Sequence, residues 1–140
     1  MKVVLDTNVF ISSFLGKGPP HQILKRWIKG EFDLCLSNEI IEEYLEILLR
    51  SGVNERPEVK EVLKLMKQQG NIIFSANPES CNVVKDDPDD DKFISCAIAC
   101  EAKLIVSGDA HLLNIQKYFD IEIIKARPFL TILENQTGGA

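Results

Sequence analysis

The apolar positions of this chain follow two alternating rhythms. Short β-branched runs at Lys2–Leu5, Phe32–Leu36, Ile72–Phe74, Leu104–Val106 and Ile121–Ile124 predict strands. Between them, longer segments carry apolar residues at helical spacing. They predict helices over Asn8–Leu15, over Pro20–Lys29 closed by Gly30, and from a Ser37 or Asn38 cap to Arg50. Four more are predicted: Pro57–Gln69 closed by Gly70, one opening in Asp86–Asp91, Ala110–Tyr118 and Pro128–Glu134. Strand and helix in turn are the mark of an α/β domain: a mainly parallel central sheet of about five strands between helical layers. One such domain accounts for residues 1–135, leaving 136–140 as a frayed tail.

Composition adds little to that picture and excludes several classes. With 140 residues, 45% hydrophobic and 26% charged, the chain can bury one core and is neither disordered nor fibrous. No apolar run approaches the roughly 20 residues that cross a bilayer, and Lys2–Leu5 reads as strand rather than leader, so a cytoplasmic location without membrane contact is expected. Cys35, Cys81, Cys96 and Cys100 show no C-x-x-C spacing. Cys96 and Cys100 sit four apart, yet no second pair or nearby histidine completes a zinc site, and thiols in apolar surroundings act as small hydrophobes.

Candidate chemistry lies in the carboxylates. Sites of open parallel sheets gather beyond the carboxyl ends of the strands. Asp6 follows the first predicted strand and Asp109 the fourth, and Asp86-Asp87-Pro88-Asp89-Asp90-Asp91 enters the helix before that fourth strand. Periodicity leaves both Asp90 and Asp91 bordering the buried stripe of that helix, and leaves Glu42 and Glu43 on the two margins of the third helix. Converging carboxylates repel unless a cation lies between them, and hard oxygen ligands select Mg2+ or Mn2+. Phosphodiester cleavage uses such a site and needs no Ser, Cys or His nucleophile. Asn8 and Ser107 are supporting candidates able to orient water or a carboxylate. Each acid also has a plainer role, since Asp6 and Asp109 both precede helices and Asp is a good N-cap. A net charge of -5 offers a polyanion no general attraction, so a local set such as Lys25, Arg26 and Lys29, or Lys60, Lys64 and Lys67, is required.

Four segments resemble the PIN domain, a family that includes the ribonuclease toxins of prokaryotic toxin-antitoxin pairs. Val3-Val4-Leu5-Asp6-Thr7-Asn8-Val9 is similar to its opening strand and helix, and Ser37-Asn38-Glu39-Ile40-Ile41-Glu42-Glu43-Tyr44 to the helix bearing its second acid. Asp91-Lys92-Phe93-Ile94-Ser95-Cys96-Ala97 and Ala102-Lys103-Leu104-Ile105-Val106-Ser107-Gly108-Asp109 resemble its third and fourth acidic segments. The resemblance implies a three-layer α/β/α PIN-like fold and a Mg2+- or Mn2+-dependent endoribonuclease acting on single-stranded or structured RNA. It implies Asp6, Asp91 and Asp109 as metal ligands and Glu43 as ligand or base, selecting Glu43 over Glu42 and Asp91 over Asp90. A small antitoxin partner and a homodimer or higher homo-oligomer are also implied. The acidic run is heavier than most members need, so Asp87 and Asp90 stand as substitutes.

Two other functions compete. Asp6 could serve as a phosphatase nucleophile, but Asn8 stands where such sites commonly place a proton-transferring acid. A non-catalytic nucleic-acid- or protein-binding module would have no need to gather repelling charges. No G-x-G-x-x-G follows the first strand, which excludes a dinucleotide site.

Overall fold

The computed structural model describes residues 1–68, 70–76 and 78–138. Among these described residues six strands form one sheet: β1 Lys2–Leu5, β2 Asp33–Ser37, β3 Ile72–Ser75, β4 Leu104–Val106, β5 Lys117–Tyr118 and β6 Ile121–Ile124. Their spatial order is β3-β2-β1-β4-β6-β5, parallel throughout except for the β5–β6 pair. Val3, Val4 and Leu5 of β1 and Ile105 and Val106 of β4 are all buried. Successive strand residues point to opposite faces, so helices cover both sides of the sheet, as expected of an α/β fold.

The helices are α1 Thr7–Ser12, α2 Pro19–Ile28, α3 Asn38–Ser51, α4 Pro57–Gln68, α5 Asp91–Cys100, α6 Ala110–Leu113 and α7 Ala126–Gly138. The chain steps outward from β1 through β2 to β3, then α5 carries it back to β4 on the far side of β1. Right-handed crossovers put α5 on the opposite face from the connections made before β3. The reversal between β1 and β4 opens a crevice beyond their carboxyl ends, where ligands of such sheets bind. Leu5 pairs with Val106, and the Asp6 N–H donates to the Val106 carbonyl at 3.0 Å. Asp6 and Ser107 therefore leave the sheet side by side.

Local chemistry sets the boundaries. The Ser37 hydroxyl caps α3 by accepting from Ile40 N–H at 3.4 Å, and Gly52, at φ 73°, closes it in the left-handed region. Pro19 and Pro20 open α2 with preset φ angles. The predicted helix Ala110–Tyr118 is corrected: it stops at Leu113, and Lys117–Tyr118 turns back as a strand against β6. The turns on either side of β5 rest on Gln116 at φ 64° and Phe119 at φ 54°. α7 begins at Ala126 and continues to Gly138, past the expected Glu134, so only residues 139 and 140 of the expected tail, like Gln69 at the end of the fourth predicted helix, lie outside the described residues.

Cys35, Cys96 and Cys100 pack in the core as unpaired thiols. Burial, with Cys100 adding to it, pushes Cys35 up to about 12. It therefore stays protonated and serves as packing. Among the described residues no helix is long and apolar enough to cross a membrane.

Candidate active site

Asp6, Thr7, Glu43, Asp90, Phe93 and Asp109 wall a cavity of about 120 Å³ at the crevice, and Asn8 also borders it. Asp6 is the N-cap of α1 and accepts from Val9 N–H at 2.8 Å through Oδ1. Its Oδ2 accepts from the Ser107 hydroxyl. Ser107, 0% exposed, in turn accepts from Asp109 N–H at 2.9 Å. Asp109 is the N-cap of α6, with Oδ1 taking His111 N–H at 2.7 Å. The capping role and the site role thus coincide in both residues, each giving one oxygen to its own helix.

Glu43 reaches the cavity from α3 while Glu42 faces solvent. Both of its oxygens are engaged: the Thr7 hydroxyl donates to Oε2, and the Lys92 ammonium bonds Oε1 at 3.0 Å. The Lys92 side chain is only 9% exposed and also pairs with Asp89 at 3.3 Å. Burial alone would lower its pKa, but its bonds to Glu43 and Asp89 more than offset this and raise it. Lys92 thus neutralises Glu43. Sequence reasoning gave neither Thr7 nor Lys92 a role; the available signal for Lys92 was a cation directly after the acidic run Asp86–Asp91.

The structure separates two acids that periodicity could not. Asp91, the expected ligand, turns away: its Oδ1 accepts from Val83 N–H at 2.9 Å and Val84 N–H at 2.8 Å, pinning the loop before the acidic run. It borders a different cavity of about 360 Å³, with Ser37, Cys81 and Ser95. Asp90 takes the place facing Asp6, Glu43 and Asp109. The physical reason is the 3-10 turn Pro88–Asp90. It rotates the chain before the α-helix starts at Asp91, so helical spacing counted back from Ile94 no longer applies to Asp90.

Asp87, Asp90 and Asp109 each offer an oxygen within 4.8 Å of the others. Asp90 Oδ2 is buried with no hydrogen-bond partner among the described residues. Burial first, then the charges of Asp109, Asp87, Asp6 and Asp89, push Asp90 up to about 7. Asp6 is also raised, chiefly by burial, with its bonds to Ser107 and Val9 opposing and Asp109 adding to the rise. An orphaned carboxylate oxygen among repelling acids is stabilised by a cation, and an all-oxygen donor set suits a hard divalent one.

The expected cationic sets lie elsewhere. α2 ends where β2 begins: Glu31 N–H donates to the Arg26 carbonyl, and the Trp27 indole to the Asn71 carbonyl just before β3. Lys25, Arg26 and Lys29 therefore sit toward the amino edge of the sheet, opposite the acids, and Arg26 pairs with Glu31 at 2.8 Å. Lys60, Lys64 and Lys67 are exposed on α4 and do not border the cavity.

A sequence profile described as PIN domain matches residues 2–111. The chain belongs to the PIN domain family. The matched stretch contains every acid of the cavity, from Asp6 to Asp109. PIN domains are generally nucleases and typically bind a divalent metal, which places this chain among nucleases at the level of the superfamily. The protein named "Uncharacterized protein MJ1680" from Methanocaldococcus jannaschii is 31% identical over 132 residues, spanning 89% of this PIN chain and 83% of that protein.

Proposed function

We propose that this PIN domain is a divalent-metal-dependent endoribonuclease that hydrolyses RNA phosphodiester bonds at the Asp6–Asp90–Asp109 cavity. The observation that carries the reading is the buried Asp90 Oδ2, without a hydrogen-bond partner among the described residues, at the meeting of Asp6, Asp87 and Asp109. Asp90 and Asp109, flanked by Asp6 and Asp87, would hold the ion, because these acids keep carboxylate oxygens free or only singly hydrogen-bonded. Mg2+ or Mn2+ bound there supplies Lewis acidity toward water and phosphate oxygen.

The chain's own groups do the positioning. Val9 N–H and the Ser107 hydroxyl fix Asp6 from two directions, and Asp109 N–H fixes Ser107. Thr7 and Lys92 hold the Glu43 carboxylate at the cavity wall, where its remaining lone pairs can accept a proton from the attacking water. The preference for RNA, pairing with a small antitoxin and self-association are supported by the resemblance to toxin members alone.

The test is cleavage of a labelled mixed-sequence single-stranded RNA with magnesium, with manganese and with EDTA, with Asp6→Asn as the contamination control. Metal-dependent cleavage that disappears in Asp6→Asn supports the reading. A folded wild type that binds metal yet leaves RNA and single-stranded DNA intact would point instead to a binding module.

A further inference from the structure

The acidic cavity must accept a polyanion on a chain of net charge -5, with the lysines of α2 at the far edge of the sheet and Lys92 committed to Glu43 and Asp89. A second cavity, of about 230 Å³, adjoins the first. The two share Asn8 as a wall, and Ser107-Gly108, which leads directly into Asp109, borders the second. Val9, Pro20 and Ala126 give it apolar sides, and Ser12 and Lys125 complete it. Lys125 follows β6 at the carboxyl edge of the sheet, is exposed, and makes no ion pair among the described residues. Asp87 and Asp89 lie close enough to Asp90 for their charges to act on it, so the acidic run adds negative charge at the acids and offers no seat for phosphate.

We propose that this second cavity is the seat of the nucleotide adjoining the scissile phosphate, with Lys125 taking its backbone phosphate and the Val9, Pro20 and Ala126 side lying against its base. The inference rests on the nuclease reading and deepens it: the substrate is single-stranded RNA laid across the acids with its neighbouring unit on the Lys125 side. An apolar wall accepts the face of any base, and one ammonium neutralises one phosphate, so the seat holds the strand without reading its sequence.

The experiment measures binding of a short labelled single-stranded RNA by fluorescence anisotropy over a salt series, in magnesium, with Asp6→Asn present throughout to stop turnover. Lys125→Ala should weaken binding several-fold and reduce the slope of log affinity against log salt by about 0.7, the value for one phosphate contact on a single strand. Ser12→Trp, which fills the cavity from an exposed position, should weaken binding and leave the slope unchanged. Lys29→Ala, toward the amino edge, should alter neither. If Lys125→Ala behaves like Lys29→Ala, or Ser12→Trp binds like its parent, the seat is not there, although the nuclease reading stands. If the Asp6→Asn protein does not bind RNA at all and the wild type cuts none, both fall together.

Discussion

Asp90 and Asp91 are adjacent in sequence and opposite in task, which makes them the sharpest residue-scale test. Asp90 has its folded pKa raised to about 7 from an ordinary 3.8, so the native state holds a proton that the unfolded chain releases between about pH 4 and 7. Metal-free stability therefore falls as pH rises through that window, and Asp6 shifts in the same direction. In EDTA the thermal midpoint should be higher at pH 5.5 than at pH 8, within the range where the rest of the chain stays native. Asp90→Asn should flatten that slope, raise the midpoint at pH 8 and weaken metal binding in calorimetric titration. Asp91→Ala should act on the fold instead of on the metal. It strips the acceptor from Val83 and Val84 N–H, costing about 1–3 kcal/mol in urea unfolding while metal affinity changes little. The cavity positions of Asp6 and Asp109 were legible at strand ends because the β period is fixed, whereas the helix period left Glu42 and Glu43 open and only the family resemblance selected Glu43. The Asp90 position was not legible, since it depends on a single 3-10 turn whose residues also suit an α-helix.

Among the elements, five of the six strands were legible from β-branched runs between helical segments, and their parallel arrangement followed from the intervening helices. The exception is the β5–β6 hairpin. Leu112, Leu113, Ile115 and Tyr118 imitate a helix stripe, and the turns that break it use Gln116 and Phe119 rather than glycine or asparagine. Phe119 is 81% exposed at φ 54°, so it gains little from burial and bears the steric cost of a left-handed L-residue. Phe119→Gly should therefore stabilise the protein by about 1 kcal/mol, seen as a higher urea midpoint with an unchanged m-value. A drop in stability would mean that the ring's edge contact with Tyr118, at 4.8 Å between centroids, outweighs the strain.

For the whole molecule, the carboxylate cluster links metal to folding. An ion that binds only the native state at a hundred times its dissociation constant adds about 2.7 kcal/mol. Magnesium should accordingly raise the thermal midpoint by roughly 5–10 °C at neutral pH, EDTA should reverse it, and Asp90→Asn should reduce the response. An unmoved midpoint in the wild type would count against an ion at this cluster.

The same architecture ties Asp6 to Ser107, 101 residues further along the chain, through neighbouring strands β1 and β4. During synthesis β1 is made before β4, so its partner on that side does not exist until the chain has passed Val106, and closing so large a loop is entropically slow. Asp90 and Asp109 also come late. A ribosome-bound chain therefore carries Asp6 as an isolated acid until Asp90, Ser107 and Asp109 have followed it. Under the proposed nuclease reading, the site has no means of acting on RNA until residue 109 has been made.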